Sequence, residues 1–168
     1  MTAEVVVKKL ETEREAEICA RLMATSEPWI TLRRDYQASL KTITAPKKEV
    51  YLATADSEIA GFIILNMHGA LVGYIQSVCV APGWRNNGIG THLMQFAEDR
   101  IFRETPNVFI CVSSFNPGAQ RLYEKLGYRV VGALDDFVVS GHAEILLRKS
   151  IAPLAEFMSE VDDTAAAE

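Results

Sequence analysis

Cysteine is scarce in this 168-residue chain, and the three that occur, Cys19, Cys79 and Cys111, stand far apart. Their number is odd and no Cys-x-x-Cys pair exists, so neither a disulfide framework nor a zinc site follows. Small buried hydrophobes in a reducing compartment are the expectation, and no metal is called for. Long apolar runs are missing too. Met1–Leu10 holds no stretch of signal-peptide length, and charged or polar residues interrupt every hydrophobic run, which argues against a membrane-spanning helix. Positive charge is in deficit: the formal net charge is −5, which disfavours broad electrostatic capture of nucleic acid. A soluble cytoplasmic protein without nucleic-acid or membrane partners is expected. What remains is ordinary for a globular chain, with 49% apolar and 23% charged residues, enough to bury one core.

The hydrophobic pattern places the elements. Val5–Val7 suggests a short strand, and Glu11–Ala24 has helical spacing ended by Pro28. A second helix is predicted from Trp29 to Leu40, through Leu32 and Tyr36. Val50–Ala55, Ile59–Asn66 and Leu71–Val80 read as three strands joined by short turns, hence antiparallel. Leu93, Met94, Ala97 and Ile101 then line one helix face. Val108–Val112 is a buried strand, Asn116-Pro117 opens a helix closed by Gly127, and Tyr128–Leu134 with Glu144–Arg148 form a last strand pair. Residues 1–152 are expected to form one α/β domain with a mixed, mostly antiparallel sheet flanked by helices. Residues 153–168 are expected to be a partly disordered extension, frayed from Asp162 to Glu168. Exposed strand edges leave a homodimer open.

Chemistry concentrates in Pro82-Gly83-Trp84-Arg85-Asn86-Asn87-Gly88-Ile89-Gly90-Thr91, between an apolar strand and a helix. A glycine-bearing strand-to-helix turn leaves backbone N–H groups unpaired at the positive end of a helix dipole, which suits a phosphate. Arg85 adds a fixed charge and Thr91 a hydroxyl. Two nucleotide signatures fail here. A dinucleotide fingerprint needs glycine where Leu93 stands, and a P-loop needs a lysine, none of which occurs between Lys48 and Lys125.

The run from Ser77 to Thr91 resembles motif A of the GCN5-related N-acetyltransferases, Arg/Gln-x-x-Gly-x-Gly/Ala. Asn116-Pro117-Gly118-Ala119-Gln120-Arg121-Leu122-Tyr123-Glu124-Lys125-Leu126-Gly127-Tyr128 resembles that family's motif B. The resemblance spans roughly residues 4 to 150 and implies an N-acetyltransferase that moves an acetyl group from acetyl-CoA to a primary amine of a small molecule, peptide or protein. A non-catalytic acyl-CoA-binding regulatory module is the alternative. It implies a sheet split between the fourth and fifth strands. The pyrophosphate would rest on Arg85, Asn86, Asn87, Gly88, Ile89, Gly90 and Thr91, and the pantetheine arm would lie along the main chain of Val78, Cys79 and Val80. Asn116, with Ala119 on the same helix, would contact the pantetheine region. Tyr123 would protonate the leaving thiolate, and the Val80 amide could stabilise the oxyanion.

A general base is harder to place. Many family members carry a glutamate on the strand before motif A, but Tyr74, Gln76 and Ser77 stand here. Asp135, Asp136, His142 and Glu144 remain, or a water held by Gln76 and Tyr74. By resemblance the acceptor rim would hold Glu27, Trp29, Tyr36, His68, Asp136 and His142, whose acids and aromatics suit a cationic amine. Trp29, Tyr74, Gln76 and His142 are the substrate-contact candidates.

Overall fold

The computed structural model describes residues 4–165, with side chains to Ser159. Among the described residues, seven strands form one sheet in the order β1-β2-β3-β4-β5-β7-β6. These are β1 (Val6–Lys9), β2 (Lys48–Ala55), β3 (Glu58–Asn66), β4 (Tyr74–Val80), β5 (Asn107–Ser113), β6 (Arg129–Asp135) and β7 (Ala143–Ser150). Every neighbouring pair is antiparallel except β4 with β5. The helices are α1 (Glu13–Ala24), α2 (Tyr36–Ile43), α3 (Ile89–Ile101), α4 (Pro117–Lys125) and α5 (Leu154–Ala165).

Each face of the sheet carries its own core. Ala16, Cys19, Ala20 and Met23 of α1 pack with Leu52, Phe62, Ile64 and Trp29 on one side. Leu93, Met94, Ala97 and Ile101 of α3 pack with Ile63, Leu65, Ile75 and Val108 on the other. Burial of each such large side chain contributes about 1.5–3 kcal/mol. Gly61 allows a close approach on the α3 face: a Cβ there would meet the Cys79 carbonyl oxygen at 2.6 Å and Ile89 Cγ2 at 3.3 Å.

Local chemistry explains most boundaries. Thr12 accepts from the Glu15 amide while the Glu15 carboxylate accepts from the Thr12 amide, a reciprocal cap that starts α1. The second helix begins later than its hydrophobic spacing predicts, at Tyr36 rather than Trp29. Arg33 adopts a left-handed φ of 55°, which stops helical propagation, and Asp35 caps the new start by accepting from Ala38 N at 2.8 Å. Residues 26–33 are therefore a turn segment, with a cis peptide at Glu27-Pro28. β4 starts at Tyr74 rather than Leu71, after Gly73 at φ 84°. Helix α5 occupies most of the segment expected as an extension, and residues 166–168 lie outside the described residues.

The β4–β5 pair is short. Only Tyr74 with Phe109 and Ile75 with Ile110 are in register, and beyond Ile75 the strands part. This is the split expected between the fourth and fifth strands.

Candidate active site

The part of β4 beyond the split presents free peptide groups. Ala81 N donates to Ala60 O at 2.8 Å, which makes Ala60 and Ala81 a hydrogen-bonded pair of the β3–β4 ladder. Alternation along an antiparallel ladder then gives Cys79 to Phe62 and turns the N–H and C=O of Val78 and Val80 away from β3, into the split. Arg85 confirms the direction, since its Nε donates to Val80 O at 3.4 Å. Cys79 keeps its peptide groups toward β3, and burial pushes its thiol up to about 12.

Helix α3 begins beside this edge. Its N-cap, Gly88, sits at φ 78°, and no side chain caps the helix. The first intrahelical bond joins His92 N to Gly88 O, so the amides of Ile89, Gly90 and Thr91 point out of the helix end without an intrahelical acceptor. No atom lies within 4 Å of where a Gly88 Cβ would stand. Asn86 is held at φ 62°, and Asn87 Nδ2 donates back to Arg85 O at 3.1 Å. Arg85, Asn86, Gly88, Ile89, Gly90 and Thr91, but not Asn87, wall a cleft of about 790 Å³ that also includes Val78, Val80, Asn116 and Ala119. Uncapped amides, a positive dipole end and an adjacent guanidinium fit a pyrophosphate, and the free strand edge fits an amide-bearing arm.

Asn116 caps α4 by accepting from Ala119 N at 3.2 Å, and Tyr123 follows two turns later, 7% exposed. Both line a smaller cavity of about 130 Å³, together with Trp29, Gln76, Ser113 and Glu144. Burial pushes the Tyr123 phenol well above its usual range, so it stays protonated. Glu144 is 6% exposed and accepts from Ser113 Oγ at 2.7 Å across β5 and β7. Desolvation outweighs that hydrogen bond and raises its carboxyl above the ordinary range.

On the other side lies a third cavity of about 550 Å³, reached by Trp29, Tyr74, Gln76, Cys111 and Glu144. Gln76 is the extra residue of a β4 bulge, at the register shift between Ile64 and Leu65, and its Oε1 is buried without a partner. A bulge re-aims a side chain and leaves its strand irregular, as is common beside active sites. Trp29 lines all three spaces, so the cleft, the small chamber and the third cavity meet around one indole.

The structure thus brings together Trp29, Tyr74, Gln76, Val78, Val80, the Arg85–Thr91 turn, Asn116, Ala119 and Tyr123. It sets other candidates apart. His142 packs edge-on against Phe115 with ring centroids 4.7 Å apart and lines none of the three spaces. Tyr36 lies under Arg21, and Asp136 accepts from Gly141 N within its own loop. Arg34, Lys48, Leu71, Phe137 and Val138 in the third cavity were missed from the sequence. As isolated surface-type residues on four separate segments they carry no local signature.

Comparison with known proteins accords with this geometry. The model of the acetyltransferase (GNAT) family matches residues 13–128. The chain is 31% identical over 111 residues to an N-alpha-acetyltransferase of Sulfurisphaera tokodaii, covering 58% of this chain and 66% of that protein. It is 35% identical over 72 residues to GCN5-related N-acetyltransferase 6, chloroplastic, of Arabidopsis thaliana, covering 42% of this chain and 25% of that one. The chain therefore spans a quarter of one relative and just under two thirds of the other. The fold is similar to that of an aminoglycoside 6'-N-acetyltransferase complexed with coenzyme A, with a TM-score of 0.71 at 17% identity, covering 88% of this chain and 98% of that one. With the family model matching well over half of its length, the chain belongs to the acetyltransferase (GNAT) family.

Proposed function

We propose that this protein transfers an acetyl group from acetyl-CoA to a primary amine. The observation that carries this is the free edge of Val78 and Val80 facing the uncapped start of α3, with Tyr123 and Glu144 in one chamber behind it.

The amides of Ile89, Gly90 and Thr91, with Arg85, hold the pyrophosphate, and Asn86, Asn87 and Gly88 shape the turn around it. Val78 pairs with the pantetheine arm through its exposed N–H and C=O and Val80 through its C=O, while Cys79 forms only part of the wall. Asn116, through the amide nitrogen not used in capping, and Ala119 border the same arm. Bound this way, acetyl-CoA supplies an activated acyl thioester.

Three groups then act on the transfer. Glu144 accepts the proton of the acceptor ammonium, for which a carboxylate raised by burial is a stronger base than an exposed one. The Val80 amide donates to the thioester oxygen as negative charge develops there, a contribution of about 2.7–4 kcal/mol for a well-aligned donor. The neutral amine attacks the thioester carbon, and the C–S bond breaks as the C–N bond completes. Tyr123 donates its phenolic proton to the departing sulfur and regains one from the new amide nitrogen. Trp29 excludes water from the junction, and Gln76 and Tyr74 border the acceptor.

Incubation with acetyl-CoA and a panel of primary amines tests this. Thiol release that depends on both amine and protein supports it. CoA binding without turnover on any amine would point instead to a regulatory binding module.

A further inference from the structure

The charges around the third cavity are not those that suit a polycationic amine. Arg34 and Lys48 line it, His68 stands beside them, and Glu144 is its one carboxylate among the described residues. Neither Arg34 nor Lys48 takes part in an ion pair among the described residues. Nearby acids are engaged elsewhere. Glu49, next to Lys48 in sequence, is held by Arg100 at 2.6 Å and 2.9 Å. Glu27 accepts from the amide and hydroxyl of Thr31. Lys48 is also partly desolvated, which lowers its pKa and marks a cation without a compensating partner.

Position separates Lys48 from Glu144. Lys48 begins β2 and Glu144 lies near the start of β7, four strand spacings apart in the sheet order β2-β3-β4-β5-β7. At about 4.8 Å per spacing their strands stand on the order of 19 Å apart. An amine and an anion on adjacent atoms, as in a free α-amino acid, do not reach both. Leu71, Phe137 and Val138 line the same cavity and remain 42%, 61% and 37% exposed, an apolar wall with nothing packed on it.

We infer that the acceptor is an amphipathic primary amine with its ammonium toward Glu144, an extended apolar body along Leu71, Phe137 and Val138, and an anionic group at Arg34 and Lys48. This rests on the acetyltransferase function proposed above and specifies its acceptor. The chemistry fits an ω-amino acid, or a peptide with an apolar N-terminal residue and an acidic side chain further along.

Calorimetric titration of the full chain saturated with CoA tests this without needing turnover. The probes are 8-aminooctanoate, octylamine and 1,8-diaminooctane, which share a body and differ at the far end. The carboxylated amine is expected to bind about tenfold or more tighter than the other two, the effect of charge-assisted hydrogen bonds to one anion. In Arg34→Gln/Lys48→Gln that ratio should fall to near one, and rising salt should shrink it in the parent protein. A tripeptide pair differing only in an acidic or basic third residue distinguishes peptide from small-molecule acceptors. Equal or tighter binding of octylamine or 1,8-diaminooctane, or a preference that survives the double substitution, would overturn the inference. Anion-selective binding without any acetyl transfer would sink the acetyltransferase proposal, and the same amine would then be a bound ligand of the cavity rather than an acceptor. Turnover without anion selectivity would overturn this inference and leave the acetyltransferase proposal standing.

Discussion

Ser113 on β5 donates a 2.7 Å hydrogen bond to Glu144 on β7, inside the chamber that Tyr123 also lines. Burial raises the Glu144 carboxyl despite that bond. The folded chain therefore holds the proton more tightly than the unfolded one, and stability is lost as the pH rises from the unfolded pKa of Glu144 through its folded one. Glu144→Gln keeps the size and an acceptor for Ser113 but removes the charge. It should be at least as stable as the parent at neutral pH, yet lose about 10²–10⁴-fold in kcat/KM. The acid limb of the pH–rate profile, expected above the ordinary glutamate range, should vanish with it. A variant that retains full activity and the same limb would remove Glu144 from the mechanism.

Tyr123→Phe separates proton donation from packing. Tyr123 is almost fully buried in the α3-side core, and phenylalanine fills nearly the same volume. The melting temperature and CoA affinity should change little, while kcat falls about 10²-fold. Undiminished kcat would show that another group or water protonates the thiolate, with the rest of the site unaffected.

The glycine on β3 has a different role from those in the turn. A methyl group at Gly61 meets the Cys79 carbonyl oxygen at 2.6 Å, so either α3 or β4 must move. Gly61→Ala should cost about 1–3 kcal/mol by urea denaturation. Because Val80 is the register partner of Gly61, it should also weaken CoA binding. Parent-like stability would mean that the sheet yields there at no cost.

Much of this was legible because it depends on local backbone chemistry. Gly88 and Gly90 at a strand-to-helix turn, and Asn116-Pro117 at a helix start, announce their conformations through residue type alone. The start of α2 was not legible. Trp29, Leu32, Tyr36 and Leu40 keep helical spacing, and only the left-handed Arg33 and the Asp35 cap break the run. Glu144 read as one of several strand-end acids until its register opposite Ser113 placed it in the chamber. The acceptor wall was the least legible part, since Lys48 and Phe137 meet only through a sheet order no local pattern encodes.

Acid sensitivity of the fold itself should come from Glu15, whose shift is opposite in sign to that of Glu144. Lys8 holds the Glu15 carboxyl down to about 2, helped by the amides of Glu11 and Thr12. A depressed carboxyl contributes stability above its unfolded pKa, near 4.3, and that contribution fades as the pH falls toward the folded value. Glu15→Gln should therefore melt lower than the parent at neutral pH, with the gap closing between roughly pH 4 and 2. A gap independent of pH would assign the effect to helix propensity instead.

Donor use is tested most directly by following free thiol while purified protein, acetyl-CoA and 8-aminooctanoate react, with mass analysis of the amine. Thiol should appear in step with the acetylated amine, and both should depend on the protein and slow about 10²–10⁴-fold in Glu144→Gln. No thiol release with that amine or any other in a broad panel, together with no measurable CoA binding to the Arg85–Thr91 turn, would contradict acetyl transfer as the function of this chain.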